Sequence, residues 1–258
     1  MNPLLMRLNE TIERESPEVF AMLSDLGKAI YFPKEGILSQ SAEAGKKANK
    51  YNATIGIAME NGQPMHLRVI QDTLSAYAPK DIYPYAPPAG KPELRDIWRR
   101  KLLDENPSMR GKTFGTPIVT NALTHGLSIV ADLFADAGDA VILPDKNWEN
   151  YELTFGVRRS ARLVYYPLYN ADRKFNAEGL KEAVLAQKDK GKAIVILNFP
   201  NNPTGYTPGT AEADAIVDAL KAGAEAGVRI VAVTDDAYFG LFFEESLHES
   251  LFGRLIDA

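Results

Sequence analysis

Short apolar runs separated by helix-like stripes dominate the second half of the chain. Residues 193–197, AIVIL, form a five-residue apolar run. A stretch rich in turn formers follows, and then Ala213, Ile216, Val217, Leu220 and Ala224 fall at helical spacing ahead of Gly227, a natural stop. The next apolar run, VRIVAV at 228–233, completes a strand–helix–strand unit of the kind that builds a parallel sheet buried on both faces. The same alternation occurs earlier. PIVTN (117–121) reads as a strand, Leu127, Val130, Ala131 and Phe134 as a helix face, AVILP (140–144) as a strand, RLVYY (162–166) as another, and Ala177 to Lys188 as a helix. These patterns predict a three-layer αβα fold with a mostly parallel sheet and right-handed crossovers.

The pattern changes before residue 110. Pro17 to Lys28 reads as a helix, followed by irregular chain rich in Gly, Ser and Lys, and residues 55–67 alternate around Asn61-Gly62, a strong hairpin signal. Residues 1–59 are therefore expected to form an N-terminal arm and part of a small domain, and 60–258 the large domain.

Composition narrows the function classes. A content of 45% hydrophobic and 24% charged residues is that of an ordinary globular chain, and a net charge of -5 argues against a nucleic-acid partner. The basic cluster Arg99, Arg100 and Lys101 reads as a solvated helix face. The absence of cysteine excludes disulfides, thiolate metal sites and a cysteine nucleophile. His66, His125 and His248 are too scattered for a histidine metal site. No run reaches the roughly 18 apolar residues of a membrane span, and the N-terminus lacks a signal-like apolar core, so a cytoplasmic protein without a membrane partner is expected. Gly111-Lys112-Thr113 mimics the tail of a phosphate-binding loop, but Asn106 stands where the earlier glycine belongs, and no G-x-G-x-x-G occurs.

Open α/β sheets place their sites beyond the carboxyl ends of the strands. Three clusters lie at such positions: Thr120 to Gly126, Asn198 to Gly205, and Asp235, Asp236 and Tyr238. The first is a turn whose free N–H groups suit a phosphate. The second packs two prolines and two adjacent asparagines into eight residues, with Asn202-Pro203 a candidate cis bond. In the third, Asp235 and Tyr238 are three apart, so on a first helical turn both side chains share a face. An acid closing a strand also suits a plain helix cap.

Asn202-Pro203-Thr204-Gly205, followed 33 residues after Asn202 by Asp235-x-x-Tyr238, resembles the class I/II aminotransferases of the pyridoxal-phosphate-dependent fold-type I superfamily. The segment Tyr85 to Arg95 resembles that family's Tyr-x-x-x-x-Gly-x-x-x-Leu-Arg stretch, and Pro144 with Trp148 its aromatic stacking loop. The resemblance runs in the family's order from about Asn52 onward. It implies that Asp235 meets the pyridine nitrogen of pyridoxal 5'-phosphate, that Tyr238 and Asn202 meet the ring 3-oxygen, and that Trp148 stacks on the ring. It further implies that Thr124, His125 and Gly126 cradle the phosphate, although that turn departs from the family's Gly/Ser pattern. Tyr85 resembles the tyrosine that crosses to a neighbouring subunit, which implies a homodimer. The implied reaction moves an amino group from an α-amino acid to a 2-oxo acid.

One part of the pattern is missing. No lysine follows Lys221, so the amine that holds the cofactor covalently in the family is assigned to no residue. The chain is accordingly expected to be the N-terminal portion of such an enzyme. The alternatives are a catalytically inactive relative serving as a binding or dimerisation module, and a pyridoxal-phosphate-dependent carbon–sulfur lyase, which shares the same cofactor residues.

Overall fold

The computed structural model describes residues 3–23, 25–30, 37–52, 54 and 57–258. They fall into two compact units, Met1–Ala86 and Pro87–Ala258. The division lies later than the expected boundary at 59/60. Residues 57–86 bury no side chain.

In the first unit, helices α1 (Pro3–Glu15), α2 (Pro17–Met22), α3 (Asp25–Ala29) and α4 (Ile37–Lys47) precede a two-stranded hairpin and two short helices, α5 (Arg68–Thr73) and α6 (Pro79–Ile82). The single helix expected over 17–28 is broken where Leu23 turns to an extended backbone, ψ 133°. Asn9 Nδ2 donates to the Lys28 carbonyl at 2.8 Å and ties α1 to the end of α3. The predicted hairpin is present as β1 (Met59–Glu60) and β2 (Gln63–Pro64). Asn61 at φ 50° and Gly62 at φ 77° both take the left-handed backbone that a two-residue hairpin turn of matching twist requires. Residues 55 and 56 of that prediction lie outside the described residues.

The second unit opens with α7 (Pro92–Glu105) and α8 (Ala122–Phe134), then β3 (Ala140–Pro144), a π-helical stretch Glu152–Val157, β4 (Arg162–Tyr166), α9 (Ala177–Leu185), β5 (Lys192–Asn198), α10 (Thr210–Glu225), β6 (Arg229–Asp235) and α11 (Phe252–Leu255). All four strands are parallel, in the order β4-β3-β5-β6. Alternate side chains feed two cores. Ile142, Val195 and Leu197 pack with α9 and α10 on one face, while Val141, Leu143, Ile194 and Ile196 pack with α8 and Phe155 on the other. This is the αβα layering expected from the pattern.

Two details depart from it. PIVTN forms no strand: Ile118 is 67% exposed, and the Val119 N–H reaches only the Ala89 carbonyl at 3.1 Å. An apolar run becomes a strand only beside a strand that offers it a ladder, and none does so among the described residues. On α10 the buried stripe takes in Ala219 and Gly223 and leaves Ala224 exposed. A Cβ on Gly223 would lie 2.3 Å from Val184 Cγ1, so this glycine lets α10 approach α9 closely.

The topology locates the site. The chain runs from β3 to β4 on one side, then crosses back to place β5 on the other side of β3. Connections leaving β3 and β5 therefore diverge, and a crevice opens beyond their carboxyl ends.

Candidate functional site

A hollow of about 220 Å³ occupies that crevice. It is lined by the start of α8 (Ala122, Leu123, Thr124), by Trp148 and Tyr151 after β3, by Asn198 and Asn202 after β5, and by Asp235, Ala237 and Tyr238 after β6. Five of the eight residues singled out from the sequence thus line one space: Thr124, Trp148, Asn202, Asp235 and Tyr238. His125 and Gly126 lie in the same first turn of α8 but off the lining. Tyr85 belongs to the other unit and is fully exposed.

The strand ends are locked together before any side chain meets a ligand. Residues 192–198 of β5 pair in register with 229–235 of β6, which sets Asn198 beside Asp235. Asn198 is 6% exposed. Its Nδ2 donates to the Asp235 carbonyl at 2.9 Å, and its Oδ1 accepts from the Asn202 N–H at 2.7 Å. One buried amide therefore fixes both the Asp235 backbone and the turn that carries Asn202. Asn201 braces the same turn, accepting from Thr204 Oγ1 at 2.7 Å. The Asn202-Pro203 bond is cis, as is Phe199-Pro200. Across the mouth, Asn202 Nδ2 donates to the Tyr238 hydroxyl at 3.3 Å.

Beyond β6 the backbone forms a tight turn rather than the expected helical turn, closed by the Phe239 N–H on the Asp236 carbonyl at 3.0 Å. The Asp235 and Tyr238 side chains nonetheless converge on the hollow. Asp235 is 3% exposed, and its carboxylate accepts from the Tyr151 hydroxyl at 2.5 Å through Oδ2 and from the Ala237 N–H at 3.1 Å through Oδ1. Among the described residues no ion pair involves it. A carboxylate buried against neutral donors alone is costly unless a cationic group completes it.

Trp148 forms the apolar wall, edge-on to Tyr151 with ring centroids 5.5 Å apart at 88°. Tyr151 is 1% exposed; burial, reinforced by the charge of Asp235, pushes its phenol far above the ordinary range, so it stays protonated and acts as a donor. At the opposite end, α8 begins with no side chain capping its first N–H groups. His125 Nδ1 accepts from the Asn121 N–H at 3.0 Å, which turns the ring back onto the helix entry. Ala122, at φ 58°, holds a left-handed backbone rare for alanine, local strain of the kind found at binding sites.

Sequence reading missed Tyr151 as a site residue, and it placed Asn198 in a candidate cluster without giving it a role. Tyr151 follows Trp148 by three, so a helical turn there puts both rings on one face, and that spacing is the signal that finds it. Asn198 shows no such spacing signal; its role comes from strand register. None of the lining residues is a lysine, and no cluster among the described residues suits a metal ion. No helix among them is long and apolar enough to cross a membrane.

The lining offers an acceptor in the Asp235 carboxylate, an amide and a hydroxyl in Asn202 and Tyr238, and uncapped backbone N–H groups at the start of α8. Known proteins agree with the architecture. The chain is 37% identical over 131 residues to a probable aspartate/prephenate aminotransferase of Aquifex aeolicus, a match covering 47% of this chain and 29% of that protein. It is 24% identical over 228 residues to an aspartate aminotransferase of Pyrococcus horikoshii, covering 86% and 55%. An aminotransferase from Anaerococcus prevotii superposes with a TM-score of 0.72 at 23% identity, over 83% of this chain and 54% of that one, which shows the fold. The chain thus spans about half the length of relatives that it matches over most of its own. Residues 56–256 match the family model described as aminotransferase class I and II, and the chain belongs to that family.

Proposed function

We propose that the hollow beyond β3, β5 and β6 is a pyridoxal 5'-phosphate site and that the chain serves in amino-group transfer from an α-amino acid to a 2-oxo acid. Class I and II aminotransferases depend on that cofactor, and the residues here fit it. The observation that carries the reading is the Asp235 carboxylate, buried, lining the same hollow as the Trp148 indole, and supplied among the described residues only with neutral donors. A protonated ring nitrogen is the charge it lacks. Bound, the cofactor supplies an electron sink for the bonds at the substrate's α-carbon.

The remaining roles belong to this chain's own groups. Asp235 holds a proton on the ring nitrogen. Asn202 and Tyr238, already hydrogen-bonded to each other, offer an amide and a hydroxyl to the ring oxygen. Trp148 covers a ring face and excludes water from it. The uncapped start of α8, at Ala122 to Thr124, takes the phosphate, assisted by the helix dipole. Homodimerisation belongs to the same proposal. Tyr85, which the family resemblance assigns to a partner subunit, is fully exposed in the N-terminal unit and so free to reach one.

A second reading, cofactor binding without turnover, is favoured by one observation: the lining has no lysine. Calorimetry with pyridoxamine 5'-phosphate, which needs no covalent attachment, tests the shared part of both readings. Wild-type chain is expected to bind, and Asp235→Asn to bind at least tenfold more weakly. Equal affinities would refute the site. Conversion of a 2-oxo acid to its amino acid by the loaded chain then separates transfer from binding alone.

A further inference from the structure

Asp235 is the floor of the hollow, yet nothing intrinsic to an aspartate fixes the plane of its carboxylate, because the last side-chain torsion is broad. In this chain two donors grip opposite oxygens, the Ala237 N–H on Oδ1 and the Tyr151 hydroxyl on Oδ2. The backbone donor comes from the turn that follows β6. The phenol comes from a different element, the helical segment after β3, so only Tyr151 ties the carboxylate to the opposite wall.

Tyr151 is itself held on several sides. It packs in the core with Leu143, Phe155 and Ile196, its N–H donates to the Trp148 carbonyl at 3.1 Å, and its ring stands edge-on to that indole. A buried phenol needs an acceptor, and Asp235 is the acceptor the structure gives it. We propose that Tyr151 is a positioning residue which, as a permanent O–H donor, sets the plane of the Asp235 carboxylate and so aims its unused lone pairs at the hollow. The inference rests on the cofactor reading above. It assigns to one four-residue segment, 148–151, both the apolar wall and the aim of the acid facing it. Burial and the neighbouring carboxylate keep the phenol protonated, so the donor is not lost as pH rises through neutrality.

A double-mutant cycle on the full chain tests this, with pyridoxamine 5'-phosphate as probe and calorimetry as readout. Tyr151→Phe keeps the ring and its packing and removes only the donor. It is expected to weaken binding about tenfold in the wild-type background and less than twofold in the Asp235→Asn background, because a residue acting through Asp235 has nothing left to act on. Equal losses in both backgrounds would mean a packing role beneath Trp148 and would overturn the proposal. Near-ultraviolet circular dichroism checks that each variant is folded. A second measurement needs no cofactor: in chain labelled with [13Cζ]tyrosine, the signal absent from Tyr151→Phe should stay constant to pH 11, and should move in Asp235→Asn. If the wild-type chain binds no probe, the cofactor reading fails. The tyrosine signal then decides the pairing by itself: a Tyr151 signal that shifts below pH 11 overturns it, and silence relieved by Asp235→Asn supports it.

Discussion

Asp236, next to the acid of the hollow, offers a test of how this fold treats a carboxylate that faces away from the site. Its Oδ2 accepts from Ser250 Oγ at 2.7 Å, and the Ser250 N–H donates to Asn106 Oδ1 at 2.7 Å, so Asp236 anchors the C-terminal segment to the end of α7. Burial pushes its carboxyl up to about 6, the Ser250 hydrogen bond opposes that, and the Asp235 charge adds to it. The gap from the ordinary 3.8 corresponds to about 3 kcal/mol at 1.4 kcal/mol per tenfold change in proton affinity. Because the side chain is only partly shielded from water, about 1–2 kcal/mol is the expected effect. The sign follows from which state holds the proton. Below the unfolded value both states are protonated and nothing is lost. Between there and about 6 the folded state keeps a proton that the unfolded state releases, so this contribution to stability declines as pH rises. Above about 6 the fold carries a buried charge. Asp236→Asn keeps an oxygen for Ser250 and removes that charge. Urea unfolding of both proteins at pH 4.5, 6 and 7.5 should show the smallest difference at the lowest pH and a variant more stable by about 1–2 kcal/mol at the highest. A variant equally or less stable at pH 7.5, with a difference independent of pH, would refute the reasoning.

Gly223→Ala should destabilise the chain by about 1–3 kcal/mol, read as a lower urea midpoint, because the added methyl meets Val184 at the α9–α10 contact. For Glu212, burial raises the carboxyl but hydrogen bonds from Tyr206, Gly209 and Phe175 outweigh it and hold it below the usual range. Glu212→Gln should therefore cost about 1 kcal/mol at pH 7, and the difference should vanish as pH falls through the folded-state value; a cost unchanged in acid would contradict the assignment. In pyridoxamine 5'-phosphate titrations, Asn202→Ala and Tyr238→Phe should each weaken binding about three- to tenfold, each removing one hydrogen bond to the ring oxygen.

The parallel strands were legible because period and composition suffice for them: β3 and β4 coincide with the apolar runs at 140–144 and 162–166, and β5 and β6 lie within two residues of the runs at 193–197 and 228–233. So was the tight turn at Asn61-Gly62, where the chemistry is local. Failures arose wherever the outcome depended on a neighbour. PIVTN has the apolar character of a strand, but a strand is a property of a pair. Ala224 and Gly223 sit side by side on the predicted helix, and only the approach of Val184 decides which faces inward.

The hollow shows the same dependence with higher stakes. Asp235, Asn202 and Tyr238 stand out in the sequence as polar groups clustered after apolar runs, and Trp148 through the family resemblance, whereas Asn198 looks there like a strand terminus and Tyr151 like an ordinary core aromatic. Their importance arises from register. Pairing of Asn198 with Asp235 across β5 and β6 puts an amide where it can satisfy one strand's carbonyl and the next turn's N–H at once. A one-residue slip of β6 would turn Asp235 to the opposite face of the sheet, break its bond to Tyr151, and leave a buried phenol and a buried amide unsatisfied together. The polar floor therefore specifies the register of the edge strand as firmly as the apolar core does, and the residues that prepare the site are also the ones that penalise its misassembly.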